Sequence, residues 1–491
     1  MRLMNSASPL VSPRPTPAQA RKKPLYDPPW LGGLQDLARE HAFEPLRVEG
    51  TLPPSLEGTL YRNGPGRFTV GGERIPHWFD GDGAVSAVRL TGGGAHGAVR
   101  MVRTAALERE ERAGKRLFGG YGAPLVRPFR ELFGDSKNAA NTSVLLWQDR
   151  LFATCEAGKT HEVDTRDLST LGESLLGGAL VGPFSAHAHH VPQRRATYNF
   201  GLGHGRATQV DAYELPDEGP ARRIATFSVD GVRVLHDFVA TERHLVFTFA
   251  PLYMSLVDVL FRQRAPISDA RWKPERGTEI VVVPIDTPKQ IRRFRTDGFL
   301  LEHTVNAFEE GGKIVFDYTH YAHSDGLEEF VGGVVGGRID APLRSEIRRA
   351  TLDPARDGVT SEVVLPRAVE LPRVSPRVEG SRHRFAYYAG AATNAGDAPF
   401  ARLLKHDLET GRVDTYEPGT DRSPGEGVFV PRPEGTAEDD GWLLTMVYDA
   451  REDRSRLEVL DARSIGDGPI AACHFDHLIP FGFHGAWASR A

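Results

Sequence analysis

The amino-acid sequence predicts an all-β fold, and three observations lead there. From about residue 44 onward, short apolar runs rich in Val, Ile, Phe and Tyr end at Gly, Pro, Asp or Asn, which is the pattern of strands and tight turns. The 491 residues include 52 Gly and 35 Pro, and segments with helical periodicity are few. Strands in long series build a sandwich, a barrel or a propeller. No fixed-period repeat selects among the three. Large all-β folds run past the usual domain length as one unit, so residues 41–491 read as a single domain with a sizeable core.

In chain order, residues 1–40 come first as a leader. Pro9, Pro13, Pro15, Pro17 and Pro24 stand among basic residues, and no apolar core of a secretory signal is present. Such a composition reads as partly disordered. The predicted strands follow: Ala84 to Leu90, Ser143 to Trp147, Leu151 to Thr154, His244 to Phe249, Glu279 to Ile285, Lys313 to Tyr318, His383 to Tyr388, Trp442 to Tyr448 and Arg456 to Leu460. Asn63-Gly64-Pro65 and Asp80-Gly81-Asp82-Gly83 read as turns between strands. The latter lacks the remaining ligands of a calcium loop.

Two segments break the β pattern, Arg116 to Gly134 and Pro251 to Arg264. The second is apolar nearly all round and then basic. It reads either as a buried capping helix or as a helix that docks on a membrane surface.

Composition excludes several classes of function. A net charge of −5 gives no basic surface for nucleic acid. Cys155 and Cys473 are too few for a disulfide framework, which suits a reducing, cytoplasmic location. No stretch approaches the roughly 20 apolar residues of a spanning helix. Phosphate-binding and dinucleotide fingerprints are absent, as are a G-x-S-x-G elbow and an H-E-x-x-H zinc-hydrolase motif. No obligate protein partner is evident.

Histidine carries the chemistry. His187, His236, His303 and His484 stand in four separate segments: FSAHAHH, VLHDFVATE, LEHTVNAFEE and IPFGFHGAW. Imidazole suits iron, copper, nickel and zinc, and a carboxylate-poor set disfavours magnesium and calcium. Zinc more often takes cysteine, or three protein ligands and a water. Four neutral ligands leave a divalent metal positive, which suits dioxygen chemistry at iron. Spacing along a strand leaves His187 and His189 as alternatives on one face. A metal-bound imidazole usually donates its other N–H to a carboxylate. Glu156, Glu370 and Glu426, in apolar or turn-like surroundings, are the candidates.

These residues carry a resemblance. GTLPPSLEGTLYRNGPGRF, HWFDGDGAVSAVRL, NAANTSVLLWQDRLFATCEAG, SAH, HDFVATE, EHTVNAFEE, VFVPRP and PFGFHGAW occur in the order found in the carotenoid cleavage oxygenases. The likeness covers roughly residues 40 to 491. It implies a seven-bladed β-propeller with a helical or loop cap over an axial metal site. It implies one iron(II) per chain on His187, His236, His303 and His484, which selects His187 over His189. It implies Glu156, Glu370 and Glu426 as carboxylates orienting those imidazoles, and Thr142 beside the open metal position.

The activity implied is cleavage of a conjugated C=C bond of a carotenoid or apocarotenoid by O2, giving two carbonyl products. The alternatives are cleavage of a stilbene or related phenylpropanoid at the same centre, and a non-catalytic isoprenoid-binding propeller. Tyr121, Lys137 and Glu302 are candidates for recognising a phenol. Ala188, Leu371 and Gly427 depart from the family's common residues without touching the site chemistry. Glu302 is the notable departure, because many relatives carry an aromatic just before this ligand. An apolar polyene partitions into membranes, so peripheral docking through Pro251 to Arg264 would serve its entry.

Overall fold

Seven antiparallel sheets follow one another along the chain and form the blades of a propeller. The computed structural model describes residues 23–122, 137–156, 158–255, 270–391 and 396–490. Most of the leader, residues 123–134 of the first interrupting segment and 256–264 of the second lie outside the described residues.

The strands that begin the blades pack against one another around a common axis. They are Ser143–Trp147 in the second blade, His189–Val191 in the third, Phe238–Ala240 in the fourth, Leu300–Glu310 in the fifth and Val369–Arg373 in the sixth. The ring closes through both ends of the chain. Strand Gly485–Ser489 pairs with Gly58–Arg67 and completes the first blade, while Arg47–Gly50 pairs with Pro469–His474 on the outside of the seventh.

The core lies between blades rather than within one layer. Leu151, Ala153, Val85 and Ala98 fill the space between the first and second blades. Phe152, Leu145, Phe184 and Tyr213 fill the next interface. Leu151 and Phe152 are neighbours on one strand and are fully buried on opposite faces. A strand buried on both faces reads as a continuous apolar run rather than as an alternation. This explains why SVLLW and HLVFTF are legible as strands in the sequence. A truncation such as Phe152→Ala would cost about 3–5 kcal/mol at such an interface.

Three expectations need correction. Asn63-Gly64-Pro65 is not a turn but the middle of strand Gly58–Arg67. Its residue types answer to packing: a Cβ on Gly64 would lie 2.3 Å from Gly482 Cα. Pro65, lacking an N–H, sits at the irregularity between Pro65 and Arg67 where the ladder needs no donor. Second, strand Asp82–Thr91 begins inside the Asp80–Gly83 stretch, so only its first half is turn-like. Third, the start of the Pro251 to Arg264 segment is a strand, Leu252–Met254, paired with Val232–Arg233 and Arg271–Trp272.

The helix Ala105–Ala113, capped by the Thr104 hydroxyl and ended by Gly114 at φ +59°, was not legible from its mostly polar sequence. No helix among the described residues is long and apolar enough to cross a membrane. Both cysteines are free and buried.

Candidate metal centre

The four histidines meet on the propeller axis. Ring centroids of His187 lie 4.3 Å from His236, 5.1 Å from His303 and 4.7 Å from His484. Those of His303 and His484 are 5.0 Å apart. Each imidazole stands at or near the start of a blade's first strand. His187 and His236 precede strands His189–Val191 and Phe238–Ala240, His303 lies in Leu300–Glu310, and His484 immediately precedes Gly485–Ser489. The Ser185 hydroxyl accepts the His187 N–H at 3.1 Å and fixes that approach.

Three carboxylates hold three of the rings from behind. Glu156 Oε1 is 3.1 Å from His236 Nδ1, Glu370 Oε2 is 2.5 Å from His303 Nδ1, and Glu426 Oε1 is 3.0 Å from His484 Nδ1. The Nε2 atoms are thereby left for the centre, and those of His236 and His303 are 3.2 Å apart. Glu370 and Glu426 hydrogen-bond their imidazoles, whereas Glu156 Oε1 stands at ion-pair distance from His236 Nδ1 without a hydrogen bond. His187 alone has no carboxylate at hydrogen-bond distance, its Nε2 lying 3.7 Å from Glu156.

His189 takes no part in the cluster. Its ring lies between Asp237, at 2.8 Å, and Glu379, at 3.3 Å. Burial opposes the charged form of His189, but those two carboxylates outweigh it and raise the group to about 10. Asp237 also accepts the Thr304 N–H and hydroxyl at 2.7 Å, tying the fourth blade to the fifth beside the site.

The carboxylates are themselves anchored, by residues that the sequence reading missed. The Tyr321 hydroxyl donates to Glu370 Oε1 at 2.5 Å. Arg373 Nε donates to Glu426 Oε1 at 2.8 Å, the Gly485 N–H to Oε2 at 2.9 Å, and Arg62 faces Oε2 at 3.5 Å. Burial works against charge on Glu426, yet Arg373, His484 and Arg62 together hold it far below the usual carboxylate range. Arg373 follows Glu370 by three residues in VELPR and was open to notice; Arg62 and Tyr321 carry no local signal.

Two bulges aim the fifth and sixth blades inward. The ladder slips between Leu301 and Thr304, and again between Glu370 and Arg373, where Leu371 takes φ +52°. Bulges re-aim side chains next to functional sites, and a non-glycine residue in that conformation carries a cost of about 1–2 kcal/mol. The first bulge lets Glu302 reach the centre beside His303: its Oε1 lies 3.6 Å from His236 Nε2. Burial pushes the Glu302 carboxyl up. His236 is opposed by burial as well, but Glu302 and Glu156 raise it to about 10.

The remaining candidates fall as follows. The Thr142 hydroxyl is 3.1 Å from Asn141 Oδ1 and 3.3 Å from Glu156 Oε2, and its carbonyl accepts the His484 N–H at 3.2 Å. Tyr121 stacks on His77 and meets Phe79 edge-on, and Phe79 meets Phe483, the residue before His484, in the same way. Lys137 is bound between Asp82 at 3.0 Å and Glu110 at 3.1 Å.

The donor set fits a divalent transition metal. His187, His303 and His484 offer nitrogens within 4.8 Å of one another, and His187 joins His236 and Glu156 in a second such group. His187 Nε2 is buried without a hydrogen-bond partner. Buried polar atoms in native proteins are nearly always satisfied, so an orphan turned into a cluster of imidazole nitrogens marks a place for a cation. With metal–nitrogen bonds of about 2.1 Å, two ligand atoms on one ion lie about 3 Å apart when adjacent, which matches the gap between His236 and His303.

Comparison with known proteins agrees with this architecture. Residues 34–489 match the family model of the retinal pigment epithelial membrane protein. The chain belongs to that family. It is 34% identical to the apocarotenoid-15,15'-oxygenase of Synechocystis sp., over 98% of this chain and 100% of the relative. It is 29% identical to a carotenoid cleavage oxygenase of Mycobacterium tuberculosis, over 94% and 97%. Among solved structures, a cobalt-substituted Synechocystis apocarotenoid oxygenase superposes with a TM-score of 0.87 at 33% identity, covering 95% of this chain and 100% of the other.

Proposed function

We propose that this member of the family is a non-haem iron(II) dioxygenase that cleaves a conjugated C=C bond of a carotenoid or apocarotenoid with O2. The observation that carries the proposal is the axial cluster of four imidazoles with carboxylates behind three of them. The relatives named as apocarotenoid and carotenoid cleavage oxygenases give the substrate class.

His187, His236, His303 and His484 would hold the iron. Bound there, iron(II) supplies the activation of O2 that the polyene needs. The chain itself arranges everything around that event. Glu370 and Glu426 each keep a proton on a histidine Nδ1, which fixes the tautomer and leaves Nε2 as an unprotonated donor, and Glu156 faces His236 Nδ1 at ion-pair distance. Thr142 steadies Glu156 from the second blade and His484 through its carbonyl. The linked rings of Phe79, Phe483 and Tyr121 would offer apolar surface suited to a polyene and to the exclusion of water. No protein acid or base is needed at the double bond, so selection of the bond rests on positioning.

Lys137 bears on the choice between substrates. Its ammonium is taken up by Asp82 and Glu110, so it is not free to meet a phenol. That favours the polyene over a hydroxystilbene. Peripheral contact with a membrane belongs to the same proposal. It would use the segment Pro251 to Arg264, and loss of vesicle cosedimentation in Leu256→Ser with Phe261→Ser would support it.

The deciding experiment is aerobic turnover of an all-trans apocarotenoid by the iron(II)-loaded protein, with products identified by chromatography and mass. Two carbonyl fragments that disappear without O2 or iron are expected. Intact substrate with one iron bound per chain would move the activity to another conjugated substrate. A protein that binds no iron would overturn the proposal.

A further inference from the structure

Glu302 is a carboxylate in the wrong place for an ordinary surface acid and on the wrong side of the histidines for an orienting one. The three carboxylates already described meet Nδ1 atoms, at the backs of the rings. Glu302 instead faces His236 Nε2, the ring nitrogen opposite the one that Glu156 approaches at 3.1 Å. Its side chain is 15% exposed, and among the described residues its only ion-pair partner is that imidazole. It is directed there by the bulge between Leu301 and Thr304. Consecutive residues of a regular strand point to opposite faces, but here Glu302 and His303 both reach the centre.

We infer that Glu302 contributes an oxygen ligand to the metal, making the centre one of four histidines and a glutamate. The inference rests on the reading of the cluster as a metal site. Geometry supports it. Ligand atoms about 2.1 Å from one ion are separated by about 3 Å when adjacent and about 4.2 Å when opposite. The separations from His236 Nε2 to His303 Nε2, 3.2 Å, and to Glu302 Oε1, 3.6 Å, both fall in that window. Charge supports it too. A buried carboxylate needs a cation, and no lysine or arginine of the described residues pairs with this one. Four neutral imidazoles would otherwise leave the dication uncompensated from the front.

The test is titration of the apo protein with Co(II), read by the d–d absorption of the bound ion and by competition with a chelator. Wild type should bind one Co(II) per chain. Glu302→Gln keeps the shape but weakens the donor, and should shift the d–d bands and lower affinity by about 10–100-fold, the usual cost of altering a partner of a metal site. Glu302→Asp serves as the second variant. It keeps the charge but withdraws the oxygen by one methylene, and should also shift the bands. Circular dichroism of the apo variants checks folding.

Unchanged bands and affinity in folded Glu302→Gln would overturn the inference while leaving the four-histidine site standing. Weaker binding with unchanged bands would also overturn it, because the carboxylate would then act only as a charge at a distance. Failure of wild type to bind Co(II) would instead remove the metal reading itself, and this inference with it.

Discussion

Glu426→Gln tests how the site is supported, because both oxygens of this fully buried side chain are already taken. Oε1 accepts from His484 Nδ1 and Arg373 Nε, and Oε2 from the Gly485 N–H with Arg62 beside it. A glutamine has the same shape, but whichever way its amide turns, the NH2 meets donors. It also leaves the buried Arg62 guanidinium without its countercharge. Breaking a buried pair by removing one partner costs about 3–5 kcal/mol. Globular proteins unfold with about 2.1 cal/mol/K per residue, so 491 residues give about 1 kcal/mol/K, and the midpoint should fall by about 3–5 °C. Calorimetry of the apo protein measures this. Co(II) titration of the same variant should show affinity reduced by about 10–100-fold, since His484 loses its acceptor. Adding Arg62→Met removes the stranded cation and should recover much of the stability but none of the metal affinity. A midpoint within 1 °C of wild type, or equal losses in the single and double variants, would refute this account of Glu426.

Other consequences can be measured directly. Replacing His236, His303 or His484 by Ala should abolish iron binding, measured as metal per chain; full retention would strike that residue from the ligand set. Tyr321→Phe leaves Glu370 Oε1 without a donor and should cost about 1–3 kcal/mol in urea unfolding, with a smaller loss of metal affinity than Glu370→Gln. Lys137→Met leaves Asp82 and Glu110 with Arg67 as their one cationic partner among the described residues, so it should destabilise the fold without changing the preference between apocarotenoid and hydroxystilbene; a switched preference would place Lys137 in recognition. Burial resists charge on Glu309, but His244, Thr241 and Arg243 hold it at about 2, below its ordinary 4.5. A depressed carboxylate stabilises the fold above its unfolded value, and that contribution is lost as pH falls from about 4.5 toward 2. The urea midpoint of wild type should therefore drop more steeply below pH 4.5 than that of Glu309→Gln, and parallel slopes would contradict the assignment.

What was legible in the sequence, and what was not, follows from where each signal resides. Strands buried on both faces announce themselves by continuous apolar runs, so Ser143–Trp147 and His244–Phe249 were read to the residue. Closure is not legible, because Gly485–Ser489 pairs with Gly58–Arg67 from the other end of the chain. Asn63-Gly64-Pro65 misled because glycine and proline mark turns locally, whereas here they answer to a close backbone approach and a bulge. The histidines and the carboxylates behind them could be named from motifs. Spacing could not separate His187 from His189; the family resemblance does, and the fold gives the reason by assigning His189 to Asp237 and Glu379. Arg62 and Tyr321 stayed hidden because their partners lie 364 and 49 residues away, and nothing local marks them.

The placement of these residues gives the centre a mechanical meaning. His484, His187, His236 and His303 come from the first, third, fourth and fifth blades, and Glu156, Glu370 and Glu426 from the second, sixth and seventh. Every blade therefore contributes one member, and none can be displaced without moving a blade. His484 is brought in by the strand that closes the ring. Its N–H reaches Thr142 in the second blade, while Arg373 of the sixth holds the carbonyl of Gly485 at 2.8 Å. The axis gathers imidazole nitrogens, and that of His187 is buried without a hydrogen-bond partner. A metal that binds only the closed ring would supply a partner and add stability by mass action, about 2.7 kcal/mol at a hundredfold excess over its dissociation constant. The ion proposed for oxygen chemistry would thereby also favour the closed propeller over any state in which one blade has slipped.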